Sequence, residues 1–164
     1  MKDTLRHTDK SDPCEVLRIP SSRIFKHARA AFLGLAIGDA LGATTEFMTP
    51  CEIKAKHRVH KKIIGGGWLY LKPGQVTDDT EMSLALGKAL LLSGQWNLKG
   101  IADNFLTWIR SKPIDIGATC RRGIRDYMLK GQLEVPYNEW DAGNGAAMRL
   151  SLIHISEPTR LRRI

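Results

Sequence analysis

Four consecutive residues, Thr77-Asp78-Asp79-Thr80, place two carboxylates between two hydroxyls. Hard oxygen ligands of this kind suit Mg²⁺ or Mn²⁺ rather than zinc, which prefers nitrogen and sulfur. The same residue types also cap helices by accepting free backbone N–H groups, so the string by itself leaves both readings open. Asp39 is the only acidic residue in the apolar stretch Ala28 to Leu41, and Glu46 follows a few residues later. A buried carboxylate needs a hydrogen-bonding partner or a cation. Asp39 therefore either belongs to a site or anchors its helix to backbone and Thr hydroxyls. A third acidic position, Asp115-Ile116-Gly117, follows Pro113 at a helix start, where a carboxylate is also an ordinary cap. The string Gly143-Asn144-Gly145-Ala146-Ala147-Met148 combines small residues with free backbone N–H groups that can approach a phosphate or a sugar. A glycine pair around Asn is equally an ordinary turn. GxGxxG, the Walker lysine pattern, GxSxG and HExxH are all missing, which removes the commonest nucleotide, hydrolase and zinc-protease chemistries.

Helices must hold these residues. Ala28 to Leu41 is nearly all apolar and rich in small residues, including Ala30, Gly34, Ala36 and Gly38. A helix apolar on every side is expected to be buried, its small residues admitting close neighbours. A turn region from Gly42 to Pro50 and a basic loop come next. The Gly65-Gly66-Gly67 run follows, then Trp68 to Gln75, closed by Pro73-Gly74. A second helix is expected near Thr77, which caps it, with Asp78, Asp79 and Glu81 favouring the positive end of its dipole. Its body, Met82 to Leu92, is apolar almost all round and therefore central, and it stops at Ser93-Gly94. Asn97 caps a third helix, in which Leu98, Ile101, Ala102, Phe105 and Ile109 recur at i, i+3, i+4 spacing until Pro113 approaches. A fourth spans about Ile116 to Leu129 and ends at Gly131. With no alternating strand runs and no repeat, the fold class is all-α, a helical bundle with long functional loops.

The chain has 164 residues, 43% hydrophobic and 26% charged, which excludes a collagen-like, wholly disordered or disulfide-scaffold protein. Met1 to Ser22 is polar, carries Pro13 and Pro20, and reads as a loosely ordered arm without a secretory signal. No apolar run approaches the roughly 20 residues that a membrane span needs. Cys14, Cys51 and Cys120 share no CxxC spacing and read as reduced thiols of a cytoplasmic protein. The net charge is +8, with Lys54, Lys56, Arg58, Lys61 and Lys62 clustered beside His57 and His60 and a second group at Arg121, Arg122 and Arg125. The first cluster is either a solvated loop or a basic rim that attracts a pyrophosphate or an acidic partner. It lacks the interleaved aromatics of a single-strand platform, so nucleic acid is disfavoured as a partner.

Read together, Gly34-Leu35-Ala36-Ile37-Gly38-Asp39-Ala40-Leu41-Gly42, Glu46-Phe47, Thr77-Asp78-Asp79-Thr80, Asp115-Ile116-Gly117 and Gly143 to Arg149 resemble, in order and spacing, the ADP-ribosylglycohydrolase family. The wider strings Gly65 to Leu71, Pro73 to Gly87 and Cys120 to Arg125 are similar to its bacterial branch, which regulates nitrogen fixation by acting on dinitrogenase reductase. The resemblance implies an ADP-ribosylglycohydrolase-like helical fold with two Mg²⁺ or Mn²⁺ ions in a central cleft. It implies hydrolysis of the N-glycosidic bond between ADP-ribose and an arginine of an ADP-ribosylated protein, dinitrogenase reductase or one like it. It further implies that Thr77, Asp78 and Asp79 are metal ligands and that Glu46 lies beside the metals and the ribose. Asp115 would act near the scissile ribose, and Gly143, Asn144 and Gly145 would hold ribose or phosphates. Ala118 stands where relatives tend to carry a polar residue. Family members continue beyond this loop to a second Asp-x-Asp-Thr motif that completes the metal site. The resemblance thus implies that residues 23–149 are the amino-terminal part of the domain, inactive alone. The alternative is a non-catalytic module that binds ADP-ribose. Residues 150–164 are expected to be foreign to the family, since LSLIHISEPTR, from Leu150, looks like a translated sequencing adapter with read-through; the alternative is a native divergent tail.

Overall fold

The computed structural model describes residues 23–139 and 143–150; the expected arm of residues 1–22 and most of the expected tail lie outside them. Among the described residues five α-helices occur in order: α1 (Arg23–Gly42), α2 (Pro50–His57), α3 (Asp78–Ser93), α4 (Leu98–Arg110) and α5 (Ala118–Lys130), then a 3₁₀ turn over Ala147–Arg149. Among the described residues there is no strand, only an isolated antiparallel bridge between Gly66 and Leu71. The fold is all-α, as the sequence pattern requires.

The third helix is the hub, packing on α4, on α1 and on the 3₁₀ turn, while α4 also packs on α5. Met82, 1% exposed, meets Trp108, Ile124 and Met148 in one cluster; Leu86, Ala89 and Ile101 form a second, and Phe105 borders both. The i, i+3, i+4 spacing of Ile101, Phe105 and Trp108 is what aims α4 at α3. Trp108 buries its ring and donates its indole N–H to Glu81 across 2.7 Å, so its polar handle is satisfied.

The ends of the helices obey local chemistry. The Asn97 side chain accepts the Gly100 N–H at 3.1 Å, and Gly94 and Gly131 close α3 and α5 in the left-handed conformation. Asn97→Ala is expected to cost about 1 kcal/mol, seen as a drop of roughly 4 °C in the midpoint of thermal unfolding followed by circular dichroism.

Four expectations are corrected. Helix α1 is not buried all round: Leu33 and Ile37 are exposed, because α3 is the element it packs against and Asp39 and Ala40, near its C-terminal end, are its buried residues. Helix α3 is likewise buried on one side only, with Leu91 87% exposed. Residues 50–57 form a helix rather than a loop. Thr49 and Glu52 make a reciprocal capping box, with Pro50 in the first turn. This helix buries no residue, and the cations from Lys54 to Lys62 are solvated. Finally, α5 begins at Ala118, because Asp115 accepts the Ile116 N–H at 2.8 Å and Gly117 is still extended at φ −59°, ψ 144°.

Candidate active site

The N-terminus of α3 is built around Asp39. Its carboxylate, 8% exposed, accepts the Thr77 N–H (2.9 Å) and hydroxyl (2.7 Å) and the Thr80 N–H (3.2 Å) and hydroxyl (2.6 Å). Asp39 is therefore the helix anchor, one of its two sequence readings. The expectation that Thr77 caps α3 through its own side chain is overturned, since that hydroxyl is turned to Asp39 and caps no N–H. A negative charge from α1 sits instead on the positive end of the α3 dipole, which satisfies two free N–H groups and locks the two helices together.

The lock fixes the first turn of α3, which carries Asp78 and Asp79. Both line a cleft of about 970 Å³ together with Glu46, Asp115, Gly143, Asn144 and Gly145. Asp39 and Thr77 also border the cleft, so one space gathers the acidic residues of all three strings and the glycine-flanked loop, while Thr80 is turned to Asp39 and does not line it. Asp78 accepts the Gly117 N–H at 3.1 Å, which ties the approach to α5 to the start of α3. Burial holds the Asp78 carboxyl above its usual range, the Gly117 hydrogen bond opposes this, and the charges of Asp115 and Asp39 add to it. Burial also pushes Asp79 up to about 6, helped by the carboxylates of Asp78, Asp39 and Glu46 and opposed by Arg149.

Glu46 is exposed on the turn after α1 and receives the Trp68 indole N–H at 3.1 Å. Asp115 is half-buried at the entrance to α5. Behind the Gly143–Gly145 loop, a Cβ on Gly145 would lie 2.7 Å from the Cys120 sulfur, and one on Gly143 would lie 3.4 Å from the Thr119 hydroxyl. The glycines thus let the loop press against α5. The Asn144 carbonyl starts the next turn by accepting the Ala147 N–H at 2.7 Å.

Three residues of the cleft region lie within the quoted strings but had no role assigned to them. Arg149 lies over the Phe105 ring at 5.4 Å and contributes positive charge toward Asp79. Trp68 and Phe47 line the cleft mouth, their rings edge to face at 5.4 Å. The triple glycine before Trp68 was the available signal.

The residues fit a divalent cation in kind. Two crowded carboxylates with raised proton affinity form the excess of negative charge that a hard cation relieves. They do not form a complete cage: among the described residues no group of three or more His, Cys, Asp or Glu side chains is placed to hold an ion.

The sequence pattern of the ADP-ribosylglycohydrolase family matches residues 20–164, a span that includes the segment 150–164 expected to be foreign to it. The chain belongs to the ADP-ribosylglycohydrolase family. It is 59% identical over 126 residues to the ADP-ribosyl-[dinitrogen reductase] glycohydrolase of Rhodospirillum rubrum, covering 77% of this chain and 43% of that protein. It is 32% identical over 154 residues to the ADP-ribosylarginine hydrolase Tri1 of Serratia proteamaculans, covering 88% of this chain and 40% of that one. A solved ADP-ribosylglycohydrolase-related protein complex superimposes with a TM-score of 0.64 at 37% identity, over 77% of this chain and 41% of its own. The chain therefore spans about two fifths of the length of these relatives. No helix among its described residues is long and apolar enough to cross a membrane.

Proposed function

We propose that the cleft serves hydrolysis of the N-glycosidic bond between ADP-ribose and an arginine side chain on a target protein, dinitrogenase reductase or one like it, in the cytoplasm. The observation that carries this reading is the convergence of Glu46, Asp78, Asp79 and Asp115 on one cleft bordered by a glycine-flanked loop. The identities with the R. rubrum and S. proteamaculans proteins support the substrate class.

In this reading Asp78, Asp79 and the Thr77 oxygen hold Mg²⁺ or Mn²⁺, which when bound supplies Lewis-acid polarisation of the ribose hydroxyls. A hydroxyl that donates to Asp39 keeps a lone pair for a cation. Asp115 stands ready to exchange a proton or to steady positive charge near the anomeric carbon. Glu46 faces the same ribose, and the backbone of Gly143, Asn144 and Gly145 receives ribose or phosphate oxygens. A hydroxyl and two carboxylates fall short of the roughly six ligands each ion expects, so further ligands must come from water, substrate or additional protein.

The test is release of ADP-ribose from ADP-ribosylarginine in the presence of Mn²⁺, followed by chromatography. The expected result is no release by the 164-residue chain alone and release once the chain is fused to the remaining length of the R. rubrum relative. Release by the unfused chain would mean that the site closes another way, such as by self-association. A fused protein that binds but never releases ADP-ribose would favour a binding module, a reading to which the incomplete cation cage lends weight.

A further inference from the structure

The Gly65–Gly67 run and Trp68 have no part in the chemistry assigned above, yet the fold is committed to placing them. All three glycines are left-handed, with φ of 69°, 80° and 72°. A Cβ on Gly65 would lie 2.4 Å from the Leu71 carbonyl oxygen, and one on Gly67 2.3 Å from that of Ala43. Both obstacles are backbone and cannot swing aside. Gly66 and Leu71 exchange N–H···O bonds of 2.7 and 2.9 Å, which pinch the loop shut. The loop is thereby pressed onto the backbone of Ala43 and Thr44, just before Glu46, and carries Trp68 to that carboxylate.

We propose that Trp68 is a positioning residue for Glu46, delivered by the triple-glycine turn so that the carboxylate is held at the cleft before any ligand arrives. The proposal rests on the reading of the cleft as an ADP-ribose site. Three observations carry it. The indole N–H donates to Glu46 Oε2 at 3.1 Å, across 22 residues of sequence. Phe47, itself left-handed at φ 61°, packs its ring edge to face on Trp68, so adjacent residues of the Glu46 turn are gripped by one indole. Trp68 is 50% exposed, so burial of apolar area accounts for its placement less fully than for that of Trp108, which is 9% exposed within the core. An exposed glutamate otherwise samples many rotamers, and fixing it beforehand removes an entropy cost from ligand binding.

The test is proton–nitrogen NMR of the full chain, whose four tryptophans give four indole signals; that of Trp68 is identified by its loss in Trp68→Phe. Glu46→Gln is expected to move the Trp68 indole signal and leave that of Trp108, bonded to Glu81, in place. Gly67→Ala, which keeps the indole but displaces the loop, is expected to move the same signal. An unmoved Trp68 signal in Glu46→Gln overturns the proposal, whether or not Gly67→Ala folds. Trp68→Phe is also expected to weaken Mn²⁺-dependent ADP-ribose binding about tenfold, the scale of one lost hydrogen bond to a charged group; equal affinity would overturn the positioning role. If the wild-type chain binds no ADP-ribose, the reading of the cleft fails while the indole shift still decides the coupling of Trp68 to Glu46.

Discussion

Asp39→Ala is expected to cost about 4 kcal/mol and to lower the thermal midpoint by roughly 15 °C. The variant strands four donors that now converge on one buried carboxylate, two backbone N–H groups and two hydroxyls from Thr77 and Thr80. The hydroxyls can rotate to other acceptors, but the N–H groups at the start of α3 cannot, and each buried orphan costs about 1–3 kcal/mol. The charge on the helix dipole is lost as well. Asp39→Asn keeps one oxygen acceptor but presents an amide donor to donors, so about 2 kcal/mol is expected. Urea denaturation followed by helical circular dichroism measures both. An alanine variant within 0.5 kcal/mol of wild type would mean that Asp39 does not anchor α3.

Asp79→Asn is expected to separate stability from function. With its carboxyl pushed up to about 6, Asp79 holds a proton more tightly in the folded protein than in the unfolded chain, where the value is ordinary. Its ionisation therefore opposes folding. The penalty is fully present above pH 6 and is relieved as pH falls from 6 toward 4. The shift corresponds to almost 3 kcal/mol for a fully buried group, which solvent screening of this half-buried one reduces to about 1 kcal/mol. At pH 8 the asparagine variant should thus be more stable than wild type by about 1 kcal/mol, and the wild-type gain on acidification should be diminished in it. Its Mn²⁺ affinity should fall at least tenfold, because a carboxylate ligand has become a neutral amide. A variant that is less stable at pH 8 would contradict the raised proton affinity of Asp79, and one that binds Mn²⁺ as tightly would remove Asp79 from the proposed ligand set.

How far the sequence could be read varied with how local each determinant is. Helix α4 was legible because Asn97 and the spacing of Ile101, Phe105 and Ile109 lie within a few turns of one another. The Thr49-Pro50-Cys51-Glu52 capping box was equally local, yet the surrounding cations suggested a loop. Burial of α1 was not legible, since Leu33 and Ile37 are covered or bare according to what packs on them rather than to their own pattern. The acidic residues of the site announced themselves by type. Whether Asp39 served the cleft or the helix could be decided only by Thr77 and Thr80, 38 and 41 residues away. The pairing of Trp68 with Glu46 was not legible for the same reason: the two are near only because glycines let two backbones touch.

The central claim is that the acidic cleft is a cation-dependent ADP-ribose site, and isothermal titration of ADP-ribose into the chain with and without Mn²⁺ tests it most directly. The account predicts binding heat in the presence of Mn²⁺, none when a chelator replaces the metal, and weaker binding at the same Mn²⁺ concentration in Asp79→Asn. Equal binding under all three conditions, or no binding with Mn²⁺ present, would contradict it.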